Sequence, residues 1–276
     1  FLFYCSFTQA CGERLREALS LSADADIQAH YGMYRPVPLQ LKPPADWVAP
    51  DVSQYYEDME IPDGSTIDGI GVLKVPANFY HFTKRVSPLR KATRFEDIAA
   101  FPYPDVRGWS ADHMAGMVED AHAEGRVAMG AIGHMYESSW QIRGYEPFLE
   151  DMLLRPEWCE FILDRLTENN IRKAEAAAWA GADYLMTGDD VANQETLMFS
   201  PEHWRYFIKS RWAKVYAAAR AIKPDIQIWY HSDGNIMDII PELIEIGVTI
   251  LNPVQPECMD VAEIKRKWGD KLVLDG

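Results

Sequence analysis

The sequence predicts an α/β protein of the (β/α)8 TIM barrel class, and two features of its second half carry this prediction. From Arg126 onward, short apolar segments alternate with helical segments, which is the pattern of parallel strands joined by crossover helices. Polar residues follow several different strands, as in barrels whose active sites are built from the loops after the strands. No GxGxxG or GxxxxGK[ST] turn follows a strand, which disfavours the alternative of a doubly wound nucleotide-binding sheet.

Seven apolar segments have the length and composition of strands. They cover residues 1–7, 34–39, 127–132, 183–187, 226–230, 248–251 and 272–274. Because seven strands do not close an eight-stranded barrel, we expect the C-terminal strand and helix of the barrel to be missing from this chain.

Helix boundaries are marked by residues that favour the first turn or the end of a helix. Pro156 is expected to begin a helix that ends at Gly181. Further helix signals are Ser200-Pro201 as an N-cap followed by proline, Pro241 to Gly247 as a short helix, and Asp260 with Glu263 as a capping-box pattern.

Residues 40–120 do not fit the strand–helix repeat. They are rich in proline, at positions 43, 44, 50, 62, 102 and 104, and Val72 to Val75 is expected to form part of a small hairpin. We therefore expect one barrel domain over residues 1–276 with a proline-rich insertion at about 40–120.

Composition narrows the function classes. The chain carries 27 Lys and Arg against 42 Asp and Glu, a net charge of -15, so a nucleic-acid partner or a membrane partner is disfavoured. No stretch has the roughly 18 consecutive apolar residues of a membrane span. Four scattered cysteines without a CxxC pair are typical of a reducing compartment, so we expect a cytoplasmic protein.

The segment His231-Ser232-Asp233-Gly234 directly follows a predicted strand. Residues i and i+2 at the end of a strand can converge on one ion, and zinc accepts both imidazole nitrogen and carboxylate oxygen. Two ligands are too few for a closed metal site. In the alternative interpretation, His231 caps the next turn and Asp233 caps a helix.

Asp190 and Gln194 are candidate site residues in the preceding loop. Asp190 follows a buried strand next to Asp189, and we expect one of these two carboxylates to point into the site. Gln194 is a candidate for orienting the substrate, and its alternative is a solvated loop amide.

Arg143 and Tyr136 follow the third predicted strand. The guanidinium of Arg143 is suited to a bidentate clamp on a substrate carboxylate, and its alternative is an ion pair with Glu146, Glu150 or Asp151. Tyr136 is a candidate proton donor, and its alternative is packing in the core.

Several motifs of the second half occur together: Arg143-Gly-x-Glu146, Gly188-Asp-Asp190-x-x-x-Gln194, Ser200-Pro-Glu202, Tyr230-His-Ser-Asp-Gly234 and Ile250-Leu-Asn-Pro-Val-Gln-Pro256. In this combination, residues 140–276 resemble the uroporphyrinogen decarboxylase superfamily, which includes the decarboxylases and the cobalamin-dependent methyltransferases. The resemblance implies a (β/α)8 barrel, in agreement with the strand count.

Two departures from the family patterns bear on the branch. The decarboxylases open with an Arg-Gln-Ala-Gly-Arg-Tyr segment that grips porphyrinogen carboxylates, whereas this chain has Thr8-Gln-Ala-Cys-Gly-Glu13 without those arginines. The methyltransferase branch binds zinc through a His-x-Cys pair and a later Cys. His231 matches that histidine, and Asp233 stands where the first cysteine would be.

The resemblance therefore implies a methyltransferase-like enzyme that moves a methyl group to or from a corrinoid (cobalamin) carrier, with a divalent ion, zinc in our interpretation, bound by His231 and Asp233. A corrinoid protein is the implied partner, together with a small-molecule substrate. Two alternatives stay open: metal-free decarboxylation of a porphyrinogen or other carboxylate, and a non-catalytic barrel that binds a tetrapyrrole or a partner.

Overall fold

The computed structural model describes residue 5 and residues 7–77 and 83–276, and these form the predicted α/β architecture. The strands are β1 (Val37–Leu39), β2 (Thr66–Ile67), β3 (Leu73–Pro76), β4 (Thr83–Val86), β5 (Ala128–His134), β6 (Tyr184–Gly188), β7 (Gln227–His231), β8 (Ile250–Asn252) and β9 (Val273–Leu274). The order β1-β5-β6-β7-β8-β9 is a six-stranded sheet in which every neighbouring pair is parallel. The strands β2, β3 and β4 form a separate antiparallel sheet.

Eleven α-helices lie among the described residues. They are α1 (Gln9–Ala18), α2 (Ile27–His30), α3 (Phe95–Ala99), α4 (Met114–Ala123), α5 (Tyr136–Arg143), α6 (Tyr145–Leu154), α7 (Pro156–Ala180), α8 (Pro201–His203), α9 (Ser210–Ile222), α10 (Ile240–Ile246) and α11 (Val261–Trp268). A 3-10 turn covers Ser53–Tyr56, and a π-helical segment, Trp204–Lys209, joins α8 to α9. None of the described helices is both long and apolar enough to cross a membrane.

The parallel sheet is part of a barrel. Its strands follow one another in chain order from β5 to β9, as in a (β/α)8 barrel, and across the described residues the sheet stays open with β1 and β9 at its edges. The strand expected over residues 1–7 lies mostly outside the described residues, and the two described positions in that range, Cys5 and Phe7, belong to no strand.

The predicted helix boundaries are confirmed where the capping residues are strong. The helix α7 begins at Pro156 and ends at Gly181, whose φ of 93° is the left-handed conformation that glycine adopts without strain. The Ser200 hydroxyl accepts a hydrogen bond from the backbone N–H of His203 at 3.3 Å. The Asp260 carboxylate accepts one from Glu263 N–H at 3.0 Å.

The proline-rich insertion contains the predicted hairpin, extended to three strands. Its side chains join the apolar core of the parallel sheet, since Leu73 of β3 and Leu185 of β6 are buried members of one continuous cluster. The hydroxyl of the buried Tyr56 accepts a hydrogen bond from Leu73 N–H at 3.0 Å and contacts the carbonyl of Val86 at 3.2 Å. Tyr56 thereby holds the small sheet to the core.

Close packing of α7 on the sheet depends on Gly130 in β5. A Cβ atom at this position would lie 2.6 Å from Ala177 Cβ and 2.8 Å from Leu185 Cδ2, which is shorter than carbon–carbon contact distances. The absence of a side chain therefore lets α7 lie directly against β5 and β6. These two strands end at His134 and Gly188, at the edge of the sheet described below.

Replacing Gly130 with alanine is expected to force α7 away from the sheet. Overpacking of this kind costs about 1–3 kcal/mol of unfolding free energy, measured by urea denaturation. The matched control is Gly116→Ala in α4, where a Cβ atom meets nothing within 4 Å. Because alanine is the better helix former, the control is expected to be neutral or stabilising by up to about 1 kcal/mol. Equal effects of the two variants would contradict this packing.

Candidate metal centre

Four neighbouring strands of the parallel sheet end in register. His134 of β5 is the partner of Gly188 of β6, Gly188 is the partner of His231 of β7, and His231 is the partner of Asn252 of β8. Because parallel strands present their carboxyl ends at one edge of the sheet, side chains at and just beyond this row share one region of space. The row places two imidazoles at the rim where barrel enzymes carry their active sites.

Gly188 is the position in this row that tolerates no side chain. A Cβ atom on it would lie 2.4 Å from the carbonyl oxygen of His231 and 2.6 Å from the Cβ of His231. Its φ of 156° is also a conformation that other residues rarely adopt. The glycine therefore brings the ends of β6 and β7 into close contact, and the acidic residues that follow it lie against His231.

Asp190, His231 and Asp233 form the acidic cluster of the site. The Nε2 atom of His231 lies 3.4 Å from Oδ1 of Asp190 and 3.9 Å from Oδ1 of Asp233. Zinc bonds to nitrogen and oxygen ligands are about 2.0–2.2 Å long, so two ligand atoms of one ion are at most about 4.4 Å apart. Both distances fall within this limit, and the ligand atoms of all three residues lie within 4.8 Å of one another, so the cluster is a candidate site for a single divalent ion.

The imidazole of His231 is held in the orientation that metal binding needs. The Asn252 amide nitrogen donates to the backbone carbonyl of Asp275 at 2.9 Å, which turns the Asn252 carbonyl oxygen towards His231. That oxygen lies 2.8 Å from Nδ1 of His231, so Nδ1 carries the proton and donates it. Stacking on Trp229, with ring centres 5.9 Å apart, fixes the ring plane. The Nε2 atom consequently faces the two carboxylates.

Asp190 is partly buried in a negative environment. Burial is the largest cause that raises the pKa of this carboxyl, and the charges of Glu137 and Asp233 raise it further. The backbone N–H of Asp233, which donates to Asp190 Oδ1 at 2.8 Å, and the charge of His231 oppose this shift. A bound cation would relieve the same repulsion, because opposite charge stabilises the ionised carboxylate.

Asp189 has a different role from its neighbour, as expected for adjacent residues that point in opposite directions. It is fully buried, and its Oδ1 accepts hydrogen bonds from Met135 N–H at 2.7 Å and Glu137 N–H at 3.2 Å. Its Oδ2 accepts one from the indole of Trp212 at 2.8 Å. Burial raises the pKa of Asp189 to about 7. The carboxylate thereby ties β6 to the β5–α5 turn and to α9.

His134 and Glu137 form an ion pair beside the acidic cluster, with Nδ1 of His134 2.6 Å from Oε2 of Glu137. Burial would lower the pKa of His134, but the hydrogen bond and charge of Glu137, with the charges of Asp189 and Asp190, raise it to about 9. For Glu137, burial alone would raise the pKa, but the hydrogen bond and charge of His134 lower it. The pair is therefore charged at neutral pH.

Of two groups of potential ligands at this rim, one fits an ion better. His134, Glu137 and Asp189 can be grouped around a point, as can Asp190, His231 and Asp233. In the first group, however, Asp189 already accepts three N–H bonds and His134 is paired with Glu137. Because that group is satisfied internally, the acidic cluster is the better candidate for an ion.

The structure places Arg143 away from a substrate-clamping position. Its side chain is only 3% exposed, its Nε donates to Asp151 Oδ2 at 2.7 Å, and its Nη1 donates to the Leu89 carbonyl at 2.6 Å. Arg155 binds the other oxygen of Asp151 at 2.8 Å. Of the alternatives that the sequence left open for Arg143, the ion pair with Asp151 is the one observed.

Tyr136 and Gln194 make no hydrogen bond to the acidic cluster in the described part of the chain. The ring of Tyr136 is fully buried against Phe148 and Phe199, and burial raises the pKa of its hydroxyl, so the phenol is neutral. Gln194 is exposed in the loop after β6. The buried hydroxyl of Tyr136 has no hydrogen-bond partner among the described residues.

Sequence reasoning missed several residues that shape the site, chiefly Asn252 and Glu137. Asn252 lies in the motif Asn252-Pro-Val-Gln255, where the asparagine at a strand end was the available signal. Glu137 lies three residues after His134, a spacing that brings the two together across the first turn of α5. Asp233 caps no helix, since α10 begins at Ile240 with Ile239 as its N-cap.

Comparison with known proteins identifies the family. The profile of uroporphyrinogen decarboxylase (URO-D) matches residues 130–276, more than half of the chain and all three residues of the acidic cluster. The chain belongs to this family. A solved methyltransferase from Methanosarcina mazei is similar over 60% of this chain and 47% of its own, with 23% identity and a TM-score of 0.49, so this chain spans about half of its length. No curated protein matches the chain.

Arg143→Met is expected to destabilise the fold, because it leaves the buried Asp151 carboxylate with Arg155 alone. Breaking a buried pair costs about 3–5 kcal/mol of unfolding free energy. Because the contact with Arg155 remains, we expect a loss of about 3 kcal/mol, measured by urea denaturation. Arg107→Met, at an exposed pair with Asp105, is the matched control and should cost less than about 1 kcal/mol. A stable Arg143→Met protein would restore the substrate-clamp interpretation.

Glu137→Gln is expected to lower the pKa of His134 from about 9, because the variant removes the partner's charge. The measurement is an NMR titration of metal-free protein, with Glu119→Gln as an exposed control. Because the folded pKa is raised, the stability that His134 contributes is complete below its unfolded pKa of about 6.5 and is lost as pH rises through about 9. The stability difference between wild type and Glu137→Gln should therefore shrink above pH 7. An unchanged His134 titration would contradict the pairing.

Proposed function

We propose that this URO-D family member is a metal-dependent, methyltransferase-like enzyme that moves a methyl group between a small-molecule substrate and a corrinoid carrier. In this proposal a divalent ion, zinc by preference, is bound by Asp190, His231 and Asp233. The observation that carries the proposal is the convergence of one oriented imidazole nitrogen and two carboxylates, 3.4 and 3.9 Å from that nitrogen, at the rim of the sheet.

The donor set favours an oxygen or nitrogen substrate over a thiol. Three protein ligands leave a coordination position open, as in catalytic zinc sites. When bound, the ion would act as a Lewis acid on a methoxyl- or amine-type group, and ligation by carboxylates rather than thiolates keeps it hard. Asn252 would hold the imidazole of His231 in place, and Asp189 would fix the turn that carries Glu137.

Electrostatics disfavour the decarboxylase alternative. Around the rim, the three carboxylates of Glu137, Asp190 and Asp233 outnumber the two imidazoles, with the buried Asp189 behind them. Such a surface attracts a cation and repels a porphyrinogen that carries many carboxylates. Arg143, the expected clamp for an anionic group, is bound to Asp151 instead. We therefore give Arg143 a structural role and leave substrate binding to the rim.

The remaining site residues have graded roles in the proposal. Asp190 binds the ion and does not act as a separate acid, since its carboxylate lies against His231. His134, charged through its pairing with Glu137, has its ring centre 6.4 Å from that of His231 and would orient the leaving group of the substrate. Gln194 is exposed in the loop after β6 and has the position of a rim residue that a substrate or carrier can contact.

The transfer would be a displacement at the methyl carbon. In the donor direction, the C–O or C–N bond would break with its electron pair kept by the oxygen or nitrogen, and the corrinoid carrier would supply the electron pair that accepts the methyl group. A corrinoid protein would present the cobalt over the rim. This partner rests on the family resemblance.

The first test is the metal content of dialysed protein. Wild type is expected to retain about one divalent ion per chain, and His231→Ala, Asp233→Ala and Asp190→Asn are expected to lose it, because two ligands do not make a zinc site. Elemental analysis gives the result directly. Asp225→Asn, which removes an exposed carboxylate just before the opposite end of β7, is the control and should keep the ion.

Absence of metal from wild type supplied with divalent ions would overturn the metal proposal. The methyl-transfer proposal has its own readout, the absorbance change when reduced cobalamin becomes methylcobalamin in the presence of methoxyl or methylamine donors. Turnover of uroporphyrinogen at the same rate with and without chelators would favour metal-free decarboxylation over methyl transfer. Metal binding without either reaction, and with partner binding unchanged in the ligand variants, would favour a non-catalytic barrel.

A further inference from the structure

A cavity separate from the acidic cluster lies between the parallel sheet and its helices. Its volume is about 250 Å3, and its wall includes Leu39, Gln40, Leu41, Trp109, Met114 and Lys173. None of the residues of the acidic cluster lines it. Ligand pockets for drug-sized molecules measure roughly 300–1,000 Å3, so this cavity suits a smaller molecule.

Lys173 of α7 is the one charged side chain in the wall of this cavity. Its Nζ donates one hydrogen bond, to the carbonyl of Ile132 at 3.2 Å. An ammonium has three N–H donors, and the described residues supply no carboxylate that pairs with Lys173. Burial lowers the pKa of Lys173, with no charged neighbour to oppose the shift. In its charged form, the half-buried Lys173 therefore has no counterion among the described residues.

The hydrogen bond from Lys173 to Ile132 satisfies a backbone carbonyl at an irregular position of β5. Residue Ile132 lies where the register of β5 against β6 shifts, between Ala131 and Gly133, so its carbonyl stands beside an irregularity of the ladder. Lys173 satisfies that carbonyl. That bond uses one of the three N–H donors of the ammonium, and the other two remain available to an anion in the cavity.

Trp109 supplies a second unsatisfied donor in the same wall. Its indole nitrogen is buried and has no hydrogen-bond acceptor in the part of the chain that the structure describes. Buried donors without partners are rare in folded proteins, and an unplaced ligand or water is a common explanation. The ring of Trp109 also packs edge-to-face on Trp47, which is partly exposed and covers this side of the fold.

Apart from the exposed Gln40, the rest of the wall is apolar. Leu39, Leu41 and Met114 are each at most 8% exposed, so a ligand in the cavity would contact aliphatic and thioether groups on the sides away from Lys173. A molecule that satisfies both features has one anionic end and a small apolar body. Carboxylates form charge-assisted hydrogen bonds with lysine, which are stronger than neutral ones.

We propose that this cavity binds a small monocarboxylate with an apolar body, its carboxylate paired with Lys173 and its body against Leu39, Leu41 and Met114. The site is separate from the acidic cluster and has the opposite charge. It selects the chemical class that the acidic rim repels.

The test uses benzoate as the anionic probe and benzamide as its neutral counterpart of the same shape, both titrated into the full chain by calorimetry. Benzoate is expected to bind saturably, and at least about tenfold more tightly than benzamide, because a hydrogen bond to a charged group contributes about 1.5–3 kcal/mol. Lys173→Met should weaken benzoate binding about tenfold or more and leave benzamide unchanged. Lys214→Met, the same substitution at an exposed position of α9, should change neither.

A measurement on wild type covers the case in which Lys173→Met fails to fold. Reductive methylation with formaldehyde and cyanoborohydride, followed by peptide mass spectrometry, reports the reactivity of each lysine. Benzoate should protect Lys173 and leave Lys214 reactive. Equal binding of benzoate and benzamide, no saturable binding of benzoate, or no protection of Lys173 would each overturn the proposal.

Discussion

Four parallel strands end in register at His134, Gly188, His231 and Asn252, and the missing side chain of Gly188 lets β6 and β7 close on one another at that edge. The acidic cluster depends on this contact, because Asp190 follows Gly188 by two residues and reaches His231 only if the strand ends touch. A backbone hydrogen bond also joins the two strand ends, because the N–H of Asp189 donates to the His231 carbonyl at 2.9 Å.

The edge is stabilised from behind as well as across it. Asp189 accepts hydrogen bonds from the turn that leads into α5 and from Trp212 of α9. It therefore connects the end of β6 to both of these helical regions. In front, Asp190 and Asp233 contact His231 and have no lysine or arginine partner among the described residues. A buried, fully hydrogen-bonded carboxylate behind and partly exposed ones in front are the arrangement expected of a preorganised cation site.

Sequence predicted the strands and the helix caps well, because buried parallel strands are continuously apolar and Pro156, Gly181 and Ser200 act locally. It also placed His231 and Asp233 at a strand end. It did not predict which side chains meet, because strand register and loop conformation decide that. The sequence left three acidic partners open for Arg143, and only the fold of α5 onto α6 selects Asp151.

The central claim is a single ion held by nitrogen and oxygen ligands at this edge, and X-ray absorption spectroscopy of the zinc-loaded chain tests it most directly. The account predicts one imidazole and carboxylate oxygens at about 2.0–2.2 Å from zinc. The half-buried Cys258 lies near the rim through its contact with Gln255, and its thiol would be seen as sulfur at about 2.3 Å. Sulfur in the first shell, or a zinc spectrum that is unchanged in His231→Ala, would contradict the account.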